Sequence, residues 1–358
     1  MENQIICPII IPAYEPDERL LILLSDLNKA EVCPVIIVDD GSSEAYRHIF
    51  VSAEEIYHAV VLQHEKNCGK GRGLKTAFSF CLKQYADMIG CITADSDGQH
   101  TLASIIKCRE ALFANPGRLI LGVRDFTGDT IPLKSSFGNR LTRKVFHILY
   151  NADISDTQTG LRGIPVSYMQ RLLDVPGDGF EFETRMLIDA IEKNIGWIEV
   201  QIETIYDSKE NHGTHFRPIV DSVRIYRVFG FALGKFAFTG VFSSAVDLLL
   251  FQIFCLALRN NKFFAGGGYV AVATVGARAI SSVSNYLLNY FLVFASKRKH
   301  YQSAVRYFLL AVLQMSVSAA LTTGLFNLLS ADVELFVKIP VDILLWFFSF
   351  QIQKRYVY

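Results

Sequence analysis

Neither sign of charge is in excess: 35 lysines and arginines balance 35 aspartates and glutamates. A nucleic-acid-binding chain carries a basic surplus, so no nucleic-acid partner is expected. Cysteine is scarce and unpatterned, with seven residues (Cys7, Cys33, Cys68, Cys81, Cys91, Cys108 and Cys255) and no C-x-x-C pair. That argues against a disulfide framework or a zinc site and predicts reduced, mostly buried thiols. Internal repeats and low-complexity tracts are also missing. The opening residues, MENQIICPIIIPAYEP, lack the basic start and long apolar core of a secretory leader and read as a strand. What the chain has in plenty is apolar character: 51% hydrophobic residues against 20% charged ones, and a mean hydropathy of +0.28. A disordered chain is poorer in apolar residues, and a uniformly soluble enzyme is less hydrophobic. A membrane segment is therefore expected.

The zero net charge conceals an asymmetry. Residues 234–358 hold four acids (Asp247, Asp332, Glu334 and Asp342) and eleven bases, a surplus of seven positive charges. Residues 1–233 carry the matching surplus of seven negative charges. At about 150 residues per domain, 358 residues suggest two or so.

The first 230 residues alternate two kinds of segment. Residues 5–12, 35–40, 59–64, 88–95 and 118–123 are short, β-branched and almost continuously apolar, as strands buried on both faces of a mostly parallel sheet are. Helical patterns lie between them at 17–30, 44–56, 70–86 and 101–114. The alternation predicts an α/β doubly wound domain. Ligands in such sheets sit at the carboxyl ends of the strands.

After residue 230 the pattern changes. Apolar stretches follow at 235–258, 268–294, 307–329 and 335–352, each near the roughly 20 residues that cross a bilayer. They predict four transmembrane helices in a domain covering 231–358, after a domain covering 1–230. The loop ASKRKHYQSAVR (295–306) and the C-terminal QKRY are basic, whereas SADVE (330–334) is acidic. The charge rule for loops then places both termini and the N-terminal domain on the cytoplasmic side. Asp247, Arg278, Lys338 and Asp342 fall inside or beside these stretches, where charge is costly unless paired or wet. They read either as a polar path for a headgroup or as interhelical ion pairs such as Asp247 with Arg278. Asn285 and Asn289, four apart, share a helix face and suit helix–helix adhesion.

Three motifs end predicted strands. Asp95-Ser96-Asp97-Gly98-Gln99-His100 offers two carboxylates two residues apart, and both reach one hard cation. Mg²⁺ or Mn²⁺ held in that way keeps open positions for phosphate oxygens. In Val38-Asp39-Asp40-Gly41-Ser42-Ser43, Asp40 is expected to accept bonds from a base or ribose. Ser42 or Ser43 is expected to cap the next helix. Asn67-Cys68-Gly69-Lys70-Gly71-Arg72-Gly73 is no Walker loop, since glycine follows Lys70. It is a glycine-rich turn into a helix N-terminus, with Lys70 and Arg72 near any anion bound there.

With Pro12-Ala13-Tyr14-Glu15 and Asp156-Thr157-Gln158-Thr159-Gly160-Leu161-Arg162 added, these motifs occur in the order seen in family 2 glycosyltransferases. The N-terminal domain resembles the polyprenyl-phosphate (dolichol-phosphate) mannosyl- and glucosyltransferase type over about residues 5–230. The C-terminal part resembles a GtrA-type membrane domain, on Ala277-Arg278-Ala279-Ile280-Ser281-Ser282 and Asn285-Tyr286-Leu287-Leu288-Asn289. The resemblance implies a GT-A (Rossmann-like) domain followed by an all-α four-helix membrane domain. It implies a GDP- or UDP-hexose bound against Pro12, Tyr14, Glu15, Asp39, Asp40 and Lys70. Asp95, Asp97 and Gln99 would hold the metal and diphosphate, and Asp156 and Arg162 belong to a motif of the reacting centre. One departure is visible: the family often reads Tyr-Asn-Glu, whereas here Glu15 follows Tyr14 directly and Pro16 takes the family's glutamate position.

Arg124, Lys134 and Arg140 follow the fifth strand, in the segment resembling the acceptor loop. With Arg217 of His215-Phe216-Arg217 they are candidates for the acceptor phosphate, arginine as a fork and lysine as a point charge. Arg217 suits an anchor to anionic lipid as well. A polyprenyl phosphate is already an oxyanion and needs no strong general base. The enzyme's task is to align two anions and stabilise the leaving diphosphate. The resemblance implies inversion at the anomeric carbon. Two alternatives stay open: direct glycosylation of a cell-wall polymer or glycolipid, and a non-enzymatic lipid-sugar transporter with a sensor domain. The first needs a base after Asp97, and none is obvious. The second fits poorly with an intact Asp95/Asp97 pair. Assembly with further copies of the chain also stays open.

Overall fold

The run Ile9–Ala13 (β1) is buried along its whole length, and everything in the first half of the molecule is built outwards from it. The computed structural model describes residues 6–125, 133–203, 218–258, 268–294, 299–329 and 334–358. The chain divides into two compact units, Met1–Val228 and Phe229–Tyr358.

In the first unit, β1 is followed by α1 (Arg19–Lys29), β2 (Val35–Asp39), α2 (Arg47–Glu55), β3 (Val60–Gln63), α3 (Lys70–Gln84), β4 (Gly90–Thr93), α4 (Leu102–Ala114) and β5 (Leu119–Arg124). Then come α5 (Leu133–Tyr150), β6 (Arg162–Pro165), α6 (Val166–Leu172), α7 (Glu181–Glu192) and β7 (Trp197–Ile202). The seven strands lie in the order β3-β2-β1-β4-β6-β5-β7. β1 pairs in parallel with both β2 and β4, so the strand order reverses beside β1, where α/β sheets bind ligands. β6 runs antiparallel to β4 and β5, which makes the sheet mixed.

Alternation along β1 explains the layers. Ile9 and Ile11 join Leu20, Leu24, Leu27, Ile37, Ile105 and Leu112 in one core cluster, while Ile10 is fully buried on the opposite face. Each such side chain contributes about 1.5–3 kcal/mol of burial. In α3 the buried residues Leu74, Ala77, Phe78 and Cys81 recur at helical spacing, so one stripe faces the sheet and fixes the helix start near the strand ends.

The second unit is helical. It takes in most of α8 (Pro218–Leu258), then α9 (Gly268–Leu288) with a π-type turn (Asn289–Val293), α10 (His300–Leu329), and α11 (Glu334–Ile352) with a π-type turn (Gln353–Val357). Within α8, Leu233–Leu258 is 26 residues long with a hydropathy of 2.1, and it is 6% buried. At 1.5 Å per residue it is longer than the roughly 30 Å hydrocarbon layer. Among the described residues it is the stretch long and apolar enough to cross a membrane. Inside the unit, Phe236 stacks near Phe350 (5.2 Å) and Trp346 (5.5 Å). Asn289 is fully buried. It accepts from Thr239 Oγ1 at 2.6 Å and donates to Gln353 Oε1 at 3.3 Å. Asn285 donates to the Tyr307 hydroxyl at 2.8 Å. The two asparagines thus join segments far apart in sequence. Arg278 lies 3.7 Å from Asp247, which also accepts from Ser281 Oγ at 2.7 Å. The side chains of Lys338 and Asp342 lie outside the described residues.

Candidate active site

The carboxyl ends of β1, β2 and β4 and the start of α3 meet at one edge of the sheet. Asp40, just past β2, is buried. Its Oδ1 accepts from the Cys68 amide (2.9 Å) and faces His64 Nδ1 (2.7 Å), and its Oδ2 accepts from the Gly69 amide (2.7 Å). These bonds are expected at a helix start, whose amide groups lack helical partners. Asp40 therefore clamps the loop that precedes α3, where the sequence suggested a contact to base or ribose. Asp40, His64 and Cys68 also form the group of three metal-capable side chains found among the described residues, with ligand atoms within 4.8 Å of one another. The neighbouring Asp39 accepts from the Ser42 amide at 2.9 Å. Ser42 Oγ accepts from the Glu15 amide at 2.8 Å, tying the turn after β1 to the turn after β2. Ser42 is thus no helix cap, and Ser43, at the capping position, makes no side-chain cap bond.

Gly69 sits at φ +97°, a left-handed conformation that favours glycine, and turns the chain into α3. Lys70 is then delivered to the end of β4. Its Nζ lies 2.7 Å from Asp95 Oδ1 and 2.9 Å from Glu183 Oε2 on α7, and 5.8 Å over the Phe180 ring. Burial disfavours the Lys70 ammonium, but Asp95 and Glu183 outweigh it and hold the group charged beyond the usual lysine range. Burial likewise opposes the Asp95 carboxylate, but Lys70 and then His100 hold it well below the usual carboxylate range. Asp97 is the opposite case. Burial, and next the charge of Asp95, push its carboxyl up. Two carboxylates two residues apart are thus set in different electrostatic states. Asp97 Oδ1 accepts from the Gln99 amide at 3.1 Å, and Asp95 Oδ2 faces His100 Nε2 at 3.3 Å. The backbone of Gly160 passes so close to Asp95 that a Cβ there would collide with the carboxylate.

Asp156 is completely buried. Arg124, at the end of β5, grips it with Nε (2.6 Å) and Nη2 (3.0 Å). Arg162 is 1% exposed. It donates to the carbonyls of Thr159 (2.9 Å) and Glu183 (2.8 Å), and so joins the Asp156–Arg162 motif to the turn of α7 that carries Glu183. Pro12 is buried and Tyr14 and Glu15 half-buried at the β1 end, and Arg140 is exposed on α5. Lys134 lies on α5 with its side chain outside the described residues, and Arg217 lies outside them altogether. The sequence reading passed over His64, His100 and Glu183. The acidic first turn of α7, Glu181 and Glu183, was the available signal for the last.

Residues 9–172 match the family model described as glycosyl transferase family 2. Residues 235–358 match the one described as GtrA/DPMS, transmembrane domain. A UDP-N-acetylglucosamine–dolichyl-phosphate N-acetylglucosaminyltransferase of Methanococcus voltae is 26% identical over 217 residues, 55% of this chain and 85% of that protein. Glycosyltransferase AglJ of Haloferax volcanii is 24% identical over 221 residues, 61% of this chain and 69% of that one. Among solved structures, a glucosyl-3-phosphoglycerate synthase from Mycobacterium tuberculosis, crystallised with Mn²⁺, UDP and glucosyl-3-phosphoglycerate, covers 58% of this chain and 74% of its own at 17% identity and TM-score 0.44. The chain thus joins a region that matches glycosyl transferase family 2 to a C-terminal region that matches the GtrA/DPMS transmembrane family.

Proposed function

We propose that the protein transfers a hexose from a nucleotide sugar to a polyprenyl phosphate at the cytosolic leaflet, with inversion. The observation that carries the choice of acceptor is the Arg124–Asp156 fork. A hydroxyl acceptor needs a general base within reach. Asp156, the carboxylate of the motif that follows Asp97, has both oxygens in the fork of Arg124 and no exposure. A phosphate monoester needs no base at this point; it needs cations and alignment. The relative from Methanococcus voltae is named for a dolichyl-phosphate acceptor, which supports the same class.

The same reading assigns a role to each residue. Pro12, Tyr14 and Glu15 line the β1 end of the donor site. Asp39 and Asp40 hold the loops beside them, and Lys70 keeps Asp95 ionised. The oxygen donors of Asp97 and Asp95, with Gln99 beside them, fit a hard divalent cation, Mg²⁺ or Mn²⁺. Lys70 already neutralises part of Asp95, so Asp97 is the principal ligand. When bound, the ion neutralises the diphosphate that leaves. Arg162, through the Glu183 carbonyl, holds the turn of α7 that carries Glu183. Lys134, Arg140 and Arg217 are assigned to the acceptor phosphate; Arg124, expected from the sequence to join them, has its guanidinium fork engaged by buried Asp156 and positions that carboxylate instead. Four membrane helices, both termini cytoplasmic, complete the reading.

The test is a transfer assay. Membranes containing the full chain are given radiolabelled UDP- and GDP-sugars with polyprenyl phosphate and Mg²⁺ or Mn²⁺. One sugar nucleotide is expected to yield a labelled, acid-labile lipid, abolished by chelation. Label found only in a polymer or glycolipid, independent of added polyprenyl phosphate, overturns the acceptor. Orientation is tested separately, in a Cys255→Ser background. A cysteine replacing Asp332 is expected to react with an impermeant thiol reagent in intact cells, and one replacing Lys299 is not; the reverse pattern overturns the topology.

A further inference from the structure

We propose that Asp40, His64 and Cys68 form a binding site for Zn²⁺, separate from the hard-cation pair Asp95 and Asp97. One ligand atom from each, a carboxylate oxygen, an imidazole nitrogen and a sulfur, lies within 4.8 Å of the others. Zinc takes such ligands at about 2.0–2.3 Å, which sets tetrahedral neighbours about 3.3–3.7 Å apart. Shifts of roughly one ångström therefore close the set. The residues come from three places: Asp40 follows β2, His64 follows β3, and Cys68 stands just before α3. The lack of a C-x-x-C pair hid them in the sequence, because the donors are of three kinds and 24 residues separate Asp40 from His64.

The donor set selects the ion. Mg²⁺ and Mn²⁺ prefer oxygen ligands, whereas a thiolate with an imidazole and a carboxylate suits Zn²⁺. Three protein ligands leave the fourth tetrahedral position to water or to a solute. Cys68 is exposed, while the side chains of His64 and Asp40 are 13% and 5% exposed. The ion therefore enters from the Cys68 side and meets two ligands already held in place.

That holding separates the cluster from a chance meeting of side chains. A metal-binding histidine has its other ring nitrogen bonded, and a ligating carboxylate is hydrogen-bonded in turn. Here His64 Nε2 meets Thr76 Oγ1 at 2.9 Å, while Nδ1 faces Asp40 Oδ1 at 2.7 Å. Asp40 is fixed by the amides of Cys68 and Gly69, at 2.9 and 2.7 Å. Those two amides suffice to clamp the loop, and the imidazole and the thiol are brought to the same carboxylate in addition. The Cys68 thiol donates to the Lys66 carbonyl at 3.3 Å, a weak bond that is given up when the thiol ionises. On binding, Zn²⁺ replaces two protons, that of the thiol and the one between His64 Nδ1 and Asp40, and both pass to solvent. No electron is transferred. None of Asp95, Asp97 and Gln99 takes part, so zinc binding stands or falls apart from the transferase reading.

Cobalt makes the site measurable, as a coloured substitute for zinc. The full chain is purified in detergent without a polyhistidine tag. Cys33→Ser and Cys255→Ser remove the exposed and the half-buried thiol elsewhere. Excess Mg²⁺ fills the oxygen site, and Co²⁺ is titrated in. A near-ultraviolet thiolate-to-cobalt band is expected, with the visible bands of tetrahedral Co²⁺, and one equivalent of Zn²⁺ is expected to bleach both while further Mg²⁺ does not. Cys68→Ala keeps the backbone amides that hold Asp40 and is expected to abolish the near-ultraviolet band. Thr76→Val, which frees His64 Nε2 and alters no ligand, is expected to weaken Co²⁺ binding about 10–100-fold, and His64→Ala at least as much. Circular dichroism checks the fold of each variant, and Thr76→Val, the mildest change, keeps the test decisive should His64→Ala not fold. Absence of the band, a band that survives Cys68→Ala, or a Co²⁺ affinity unchanged by Thr76→Val and by any folded His64→Ala, the mark of a lone thiol, overturns the proposal.

Discussion

In the α/β unit, buried and partly buried ionised groups meet at the strand ends, answered by opposite charges, by backbone amides or, for Arg162, by backbone carbonyls. Lys70 answers Asp95 and Glu183, Arg124 answers Asp156, and the loop amides of Cys68 and Gly69 answer Asp40. In the helical unit the central network joins neutral amides and hydroxyls, Thr239, Asn285, Asn289, Tyr307 and Gln353, and the charged exception is Asp247 with Ser281 and Arg278. The difference follows from the solvent. A cleft open to water can exchange a partner for a substrate anion, so charge there is usable. In a bilayer an ion is expensive, and neutral groups connect helices at lower cost. The comparison teaches where chemistry belongs: with the charges of the first unit, while the neutral network of the second joins its helices.

The largest effect expected is on the chemistry itself. Asp97→Asn keeps the size of the side chain and removes the charge that the donor end needs. Transfer is expected to fall at least about 100-fold, the scale of losing one electrostatic contact to a developing anion, with an unchanged circular-dichroism spectrum. Near wild-type transfer by this variant without divalent metal would break the assignment of charge to chemistry. Next comes stability. Lys70→Met strands two partly buried carboxylates; removing one partner of a buried pair costs about 3–5 kcal/mol, and the lower end applies here because all three groups keep some contact with water. Thermal unfolding of the full chain should show the first unit melting roughly 10 °C lower. Adding Glu183→Gln should recover part of that loss. No recovery would mean that Lys70 acts through packing on Phe180 rather than through charge.

Much of this was legible in the sequence. Five apolar runs gave β1 to β5 within a few residues, because strands buried on both faces need nearly continuous apolar sequence. β6 was not legible: Arg162-Gly163-Ile164-Pro165 is four residues long and reads as a turn. β7 carries mixed burial along Trp197–Ile202, so its pattern is weak. In the site, Asp95, Asp97 and Lys70 announced themselves by motif order. What they bond to did not. Lys70 meets Glu183 across 113 residues, and only the fold brings α7 to β4. Asp40 was readable as a functional carboxylate, yet two of its partners are backbone amides, which carry no residue identity, and the third is His64, 24 residues away. The sequence also suggested Asp247 with Arg278, because two opposite charges in neighbouring apolar helices have few other partners.

A smaller effect sharpens the second half of the comparison. Asn289→Leu removes the centre of the amide network, three bonds to Thr239, Asn285 and Gln353. Hydrogen bonds between membrane helices average about 0.6 kcal/mol and reach about 1.7. The loss in unfolding free energy, followed by denaturant titration in detergent, should therefore be only about 1–3 kcal/mol despite complete burial. A collapse of the fold would show the network to be the main fastening of the unit.

The smallest effect expected is the one that tests the division of labour. Arg278 is 68% exposed and lies 3.7 Å from Asp247, which is 19% exposed. The pair is loose, and Asp247 keeps the Ser281 hydroxyl at 2.7 Å after the arginine is gone. Arg278→Ala should then leave glycosyl transfer in detergent, with a short-chain polyprenyl phosphate, within about twofold of wild type, the usual range for a substitution remote from the chemistry. An assay in sealed vesicles that follows the sugar to the opposite leaflet adds the contrast, since a helical unit that presents or moves the lipid should lose that step while transfer persists. Folded Arg278→Ala protein that loses transfer in detergent as fully as Asp97→Asn would place a membrane-unit charge in the reaction. The separation of charged chemistry in the first unit from helix joining in the second would then have to be abandoned.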